Sequence, residues 1–247
     1  MHLKIYSVNL TQISCIWLLF SACGLVNNVP NPENTILNMS RQGLKEIPDE
    51  VFEMKHLKIL KLYGNKIDSI SPRIGELVNL EKLYIGKNNL THFPAEIGQL
   101  KNLKLLSAQY NEIQYLTGAI GKLDNLEELI LNQNRLKTIP VEIGKLKNLK
   151  SLQLNFNFMT YLPPELGNCT NLEFLMLNRN MIEKLPVEYG KLIHLKELYL
   201  AGAGNLVEIP ESFCEFRSLY TLEIDRYTLV PPCMWVHKTN QLRIYVR

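Results

Sequence analysis

Residues 126–148 read LEELILNQNRLKTIPVEIGKLKN. Apolar side chains fall at positions 1, 4, 6, 11, 14, 18 and 21 of this stretch, Asn stands at position 9 and Pro at position 15. The pattern returns every 23 residues: Leu57, Leu80, Leu103, Leu126, Leu149, Leu172 and Leu195 open successive units without a gap. Asn65, Asn88, Asn111, Asn134, Asn157 and Asn180 fill the ninth position of six of them. A fixed period of this length is the mark of a stacked repeat architecture. The end units are worn. Residues 34–56 keep Leu37, Met39, Leu44, Ile47, Pro48 and Val51 but carry Gln42 in the Asn column, and one extra residue in AGAGN delays the last unit to Leu219.

Within a unit, Leu129 and Leu131 alternate with Glu128, Ile130 and Asn132, which is the period of a short strand with one buried face. The ninth-position Asn falls where the chain leaves that strand, and its amide can both donate to and accept from backbone groups of adjoining turns. Repeated, it predicts a structural Asn ladder. The Pro near position 15 and the Ile-Gly at 18 and 19 suit a tight 3₁₀ or irregular turn better than a long helix. One unit's apolar side chains cannot offset the conformational entropy of ordering all its residues, so the array is expected to fold only by stacking.

These residues resemble the leucine-rich-repeat family, in the 23-residue form LPxxIGxLxNLxxLxLxxN, over about residues 34 to 246. The resemblance implies an α/β solenoid: a curved array with a concave parallel β-sheet, short 3₁₀ or irregular turns on the convex side, and a protein partner held on the concave face. The same form is similar to exported or lipoprotein repeat proteins of bacteria, spirochaetes among them, and to intracellular Ras-group repeat proteins. Repeat-containing bacterial ubiquitin ligases are also similar in their repeats but append a catalytic domain, whereas here the repeats reach residue 229 and 18 residues follow.

The first 33 residues lack the repeat. They begin with a weakly basic stretch containing His2 and Lys4, followed by an apolar run from Ile13 to Val26, too short to span a bilayer comfortably. Residues 1–22 are therefore expected to be a signal peptide and 23–33 a linker, leaving 34–247 as the repeat domain with atypical ends at 34–56 and 219–247. Phe20-Ser21-Ala22-Cys23 is similar to a bacterial lipobox, which would make Cys23 a lipidation site; Phe20 departs from the usual Leu. The expected location is secreted or outer surface, with a cytoplasmic scaffold as the alternative.

The charges, 27 basic against 24 acidic for a net +3, are spread without a run that would track a phosphate backbone, so no nucleic-acid partner is expected. Three cysteines lie beyond the leader. Cys169 replaces a core Leu; Cys214 falls in the Gly column and Cys233 in the carboxyl-terminal VPPCMW turn, and whether those two pair is open at this point. His56 and His194 share a column about 29 Å apart at roughly 4.8 Å per strand. They cannot share a metal, so no metal or cofactor is expected. No Gly-x-Ser-x-Gly, His-Glu-x-x-His, Walker loop or paired CxxC occurs, and Gly202-Ala203-Gly204 lacks the third glycine and following helix of a dinucleotide loop. The chain is accordingly read as a monomeric, non-enzymatic binding protein, with membrane contact only through a lipid at Cys23.

The solvent face of the strands follows from positions 3, 5 and 7. It places Tyr63, Tyr84, Ile130, Phe174, Met176 and Tyr199 opposite the Leu core as candidate partner-binding residues, with Phe156, Phe158 and Met181 extending the apolar zone past the strand ends. Aromatic and Met side chains among polar ones are typical of protein interfaces. The Asn132, Asn155 and Asn178 row at position 7 is expected to be a solvated amide row, with reading of a sugar or peptide backbone as the alternative.

Overall fold

The computed structural model describes residues 35–205, 207–235 and 242–247. The expected signal peptide, linker and lipidation site at Cys23 lie outside these residues, as does His237. Ten strands form one parallel sheet in sequential order: β1 Ile36–Asn38, β2 Ile59–Lys61, β3 Lys82–Tyr84, β4 Leu105–Ser107, β5 Glu128–Ile130, β6 Ser151–Gln153, β7 Phe174–Met176, β8 Glu197–Tyr199, β9 Thr221–Ile224 and β10 Arg243–Val246. The sheet is the concave face of a curved, unclosed solenoid. Each strand is short, three residues in β1 to β8 and four in β9 and β10, and the central Leu of β2 to β8, from Leu60 to Leu198, stacks in register on the next.

On the convex side each unit closes with one turn of 3₁₀ helix: Pro72–Glu76, Ala95–Gln99, Gly118–Lys122, Val141–Lys145, Pro164–Asn168, Val187–Lys191 and Glu211–Glu215. Pro immediately before or at the start of six of the seven turns sets the entering φ; Ser71, before Pro72, and Thr117, where there is no Pro, also accept from the N–H of Arg73 and Ala119. The Ile of the turn is buried and the Gly beside it lets the next turn approach; a Cβ on Gly98 would lie 2.6 Å from the Ala119 carbonyl oxygen, and one on Gly144 would overlap that of Glu165. Tyr189 replaces the Ile in one unit, fully buried, and its hydroxyl donates to the Pro163 carbonyl at 3.2 Å.

Both ends depart from the repeat. A short helix α1, Asp49–Phe52, stands in for the first 3₁₀ turn and buries Val51 and Phe52. At the other end β10 pairs with β9, adding a strand beyond the residue-229 limit expected from the sequence. A second short helix α2, Pro232–Trp235, packs against Glu211–Glu215 through a Cys214–Cys233 disulfide with Cα atoms 5.8 Å apart. Cys214 occupies the Gly column; among the described residues no further 3₁₀ turn stacks there, so the position admits a side chain, and that side chain ties down the cap.

Candidate protein-binding surface

Three rows of side chains line the concave face at positions 3, 5 and 7, and all six sequence candidates are partly buried there. They do not form one patch. Tyr84 on β3 stands about four strand spacings, or roughly 19 Å, from β7, Tyr63 after β2 about five, or roughly 24 Å, and Ile130 on β5 lies between. Phe174, Met176 and Tyr199 do come together: Met176 is paired in register with Tyr199, and Phe174 sits opposite Glu197. Met176, Tyr199, Asn178, Arg179, Glu223 and Arg247 line a hollow of about 650 Å³, with Phe156 at its rim.

Its polar groups are held in place. Glu197 accepts from the Tyr199 hydroxyl at 2.7 Å and from the Tyr220 hydroxyl at 2.8 Å. The bond to Glu197, with some burial, pushes the Tyr199 phenol up to about 12; the same carboxylate raises that of Tyr220. Glu223, buried beneath the hollow, is met by Arg247 at 2.9 Å. Asp225 accepts from the Gly202 N–H at 2.7 Å. The Arg179 guanidinium lies 5.5 Å over the Phe156 ring. The hollow therefore offers apolar area from Met176 and Tyr199 among side chains of both charges, the Glu223 and Asp225 carboxylates and the Arg179 and Arg247 guanidinium groups.

The Asn side chains at position 9 each join two units. Asn134 donates to the Ala108 and Leu131 carbonyls at 3.0 Å and accepts from the Ile113 N–H at 3.0 Å. Asn65, Asn88, Asn111, Asn157 and Asn180 repeat this arrangement, Asn180 with more exposure than the rest.

Three further columns carry contacts, one read otherwise in the sequence and two not read at all. The position-7 Asn row, expected to be solvated, is a second ladder: the Asn132, Asn155 and Asn178 carboxamide oxygens accept from the N–H of Asn155, Asn178 and Ala201 at 2.7–2.9 Å. Position 23 is a third, in which Asn79, Asn102, Asn125, Asn148 and Asn171 donate to carbonyls of the preceding unit and His194 takes the same place through Nδ1 on the Thr170 carbonyl at 2.9 Å. Position 2 alternates charge from unit to unit, Lys58, Glu81, Lys104, Glu127, Lys150, Glu173, Lys196, and pairs along the row at 2.6–3.3 Å. The signal for each was the column itself, visible once polar positions are aligned as carefully as apolar ones.

None of this assembles a reactive centre. Cys169 is buried, its thiol donates to the Ile143 carbonyl at 3.1 Å, and burial pushes it up to about 12, which keeps it protonated and unreactive. Among the described residues no group of three His, Cys, Asp or Glu is placed to hold a metal, and no helix is long and apolar enough to cross a membrane.

Residues 36–163 match the family described as leucine-rich repeat region, and 147–189 match leucine-rich repeats in two copies. The chain belongs to the leucine-rich-repeat family. No curated protein matches it. Among solved structures, a leucine-rich-repeat protein of Leptospira interrogans is 28% identical over 90% of this chain and 74% of its own, with a TM-score of 0.59. The leucine-rich-repeat ectodomain of an Arabidopsis thaliana membrane receptor kinase, in complex with Casparian strip integrity factor 2, is 30% identical over 85% of this chain and 27% of its own, at 0.70. An internalin of Listeria monocytogenes shares the fold at 18% identity and 0.74, over 87% of this chain and 61% of its own. The chain thus spans less than two thirds of the receptor ectodomain and of the internalin.

Proposed function

We propose that this is a non-catalytic, exported, monomeric binding protein that engages a host or envelope protein through its concave face. The observation that carries the proposal is the in-register Met176–Tyr199 pair, apolar area on the sheet face opposite the Leu core, where the fold itself has no use for it. A few aromatic anchors in a hollow commonly dominate a protein interface. The complex of the similar receptor ectodomain with Casparian strip integrity factor 2 supports a binding role. Export is supported by the Cys214–Cys233 disulfide, since such bonds persist mainly in oxidising compartments, and by likeness to the Leptospira protein. The role expected of Cys23 remains part of the proposal.

The test is affinity capture from envelope and host-cell extracts with the full chain and with Met176→Ala/Tyr199→Ala, identifying bound proteins by mass. The double variant should lose the specific partner, by tenfold or more in affinity, with an unchanged melting temperature; Glu142→Ala/Lys145→Ala on the convex turn should lose neither. Normal capture by the double variant would exclude the concave site. Mass measurement of the native amino terminus separates cleavage before Cys23 with an acyl group, cleavage without one, and the intact Met1 of a cytoplasmic scaffold.

A further inference from the structure

The turns leaving the strands carry a second apolar surface. Position 8 of every unit from Arg41 (φ 59°) to Gly202 (φ 67°) lies in left-handed backbone. Gly64 and Gly202 take this conformation freely, and Lys87, Gln133 and Arg179 are slender chains. Tyr110 (φ 59°) and Phe156 (φ 56°) are bulky aromatics in it, which is uncommon and strained. Burial does not offset that strain, since they are 45% and 48% exposed. The same two units present exposed Tyr115 and Tyr161 at position 13, and Phe158 and Met181 stand exposed at position 10 of neighbouring units. Two groups of exposed aromatics, Tyr110 with Tyr115, whose ring stacks on His92 at 5.6 Å, and Phe156 with Phe158 and Tyr161, thus belong to units two apart, about 10 Å at the strand spacing.

Between and beside them the charge is positive. Lys87, Lys137, Arg179 and Lys184 pair with no carboxylate among the described residues; of the carboxylates on this flank, Glu112, between Tyr110 and Tyr115 in its unit, is held by Arg135 at 3.2 Å, and Glu183 stands next to Lys184 in sequence. By contrast, the lysines of position 2 each meet a glutamate. A surface with two apolar anchor points, an unneutralised cation between them at Lys137 and others to either side at Lys87, Arg179 and Lys184, complements a chain of the opposite pattern. An extended polyproline-II segment brings residues i and i+3 to one side about 9 Å apart, close to the cluster spacing.

We infer that this strand-exit flank is a docking surface for an acidic, extended peptide segment of a partner protein, with apolar residues three apart seated on the Tyr110–Tyr115 and Phe156–Phe158–Tyr161 clusters and carboxylates facing Lys137 and Arg179. The inference goes beyond the concave reading and stands on different anchors, although Phe156 and Arg179 border both surfaces. The test pans a displayed library of random peptides, about a dozen residues long, on the full chain. Enriched peptides should be net negative with apolar residues three apart, should weaken with added salt, and should lose affinity at least tenfold on Tyr110→Asn/Phe158→Asn. That variant should melt no lower than the parent, because Asn tolerates the left-handed conformation at position 110 better than Tyr and Phe158 is 48% exposed. Lys137→Glu should weaken the same peptides, and Met176→Ala/Tyr199→Ala should retain them, so the two surfaces can fail separately. No enrichment, enrichment of basic peptides, or binding that survives Tyr110→Asn/Phe158→Asn would overturn the inference. So would flank-dependent binding on a glycan array without any peptide, which would assign the aromatics to sugar.

Discussion

At the residue scale the molecule is held by side-chain amides that substitute for missing backbone partners. The buried Asn134 carboxamide satisfies two carbonyls and one N–H belonging to two units. Asn134→Leu leaves these groups buried without partners and is expected to destabilise the array by about 1–3 kcal/mol. Asn205 is exposed and outside the column, so Asn205→Leu should shift the melting temperature far less; equal shifts by differential scanning calorimetry would refute the ladder's structural weight. Asn134 was legible in the sequence because a buried turn after a strand needs a group that both donates and accepts. Asn155 was misread because position 7 also faces solvent, and nothing in the alternation says that its oxygen reaches the N–H of Asn178. The left-handed backbone at position 8 was hidden for a related reason: Gln133 and Phe156 give none of the signal that Gly64 does.

At the element scale, strand and 3₁₀ turn were legible because each follows from a local pattern, the period of two around Leu129 and the Pro-x-x-Ile-Gly of 140–144. Contacts between elements were less so. Arg73, at the start of the first 3₁₀ turn, pairs with Glu76 at 2.9 Å, with Asp49 of α1 at 3.3 Å and with Glu53, while its guanidinium lies 5.4 Å over Phe52. Lys55 also meets Glu76. Hydrogen bonding to Arg73 first, and then to Lys55, holds the Glu76 carboxyl down to about 2, and Lys104 and Lys58 hold that of Glu81 below the ordinary carboxylate range. A carboxyl lowered in the folded state stabilises it above the unfolded value of 4.5, and that contribution fades as the pH falls from there towards 2. Both of these groups lie in the first third of the chain. Amide exchange followed from pH 5 downwards should therefore show α1 and Pro72–Glu76 losing protection before β5 to β7, and Glu76→Gln should show the weaker amino-terminal end already at neutral pH. Uniform loss of protection along the solenoid would contradict this.

On the scale of the whole molecule, a solenoid has neighbours but no centre: strands pair in sequential order, and each 3₁₀ turn packs on the next. Stability is then close to a sum over units and their interfaces, and each open end of the core must be covered separately. The sequence told that the ends differ, since Gln42 breaks the Asn column and AGAGN breaks the period, but not how they are closed. That depends on Cys214 and Cys233 meeting across a separation of 19 residues and on β10 pairing with β9, neither of which follows the repeat. Closing a loop of this size removes unfolded-state entropy worth about 3 kcal/mol. Because the interactions are between neighbours, the loss on reduction should be local. Treatment with dithiothreitol, or Cys214→Ala, is expected to lower the protection of Glu211–Glu215, β9, α2 and β10 and to bring forward a first unfolding step, while β2 to β6 keep their exchange rates. Truncation after Asn148 supplies the complementary measurement: if units are held only by neighbours, residues 34–148 should remain folded and soluble but melt earlier than the full chain. Reduction that loosens every strand alike, or a truncated chain without ordered structure by circular dichroism, would mean that the array folds as one long-range unit and that the carboxyl-terminal cap acts on all of it.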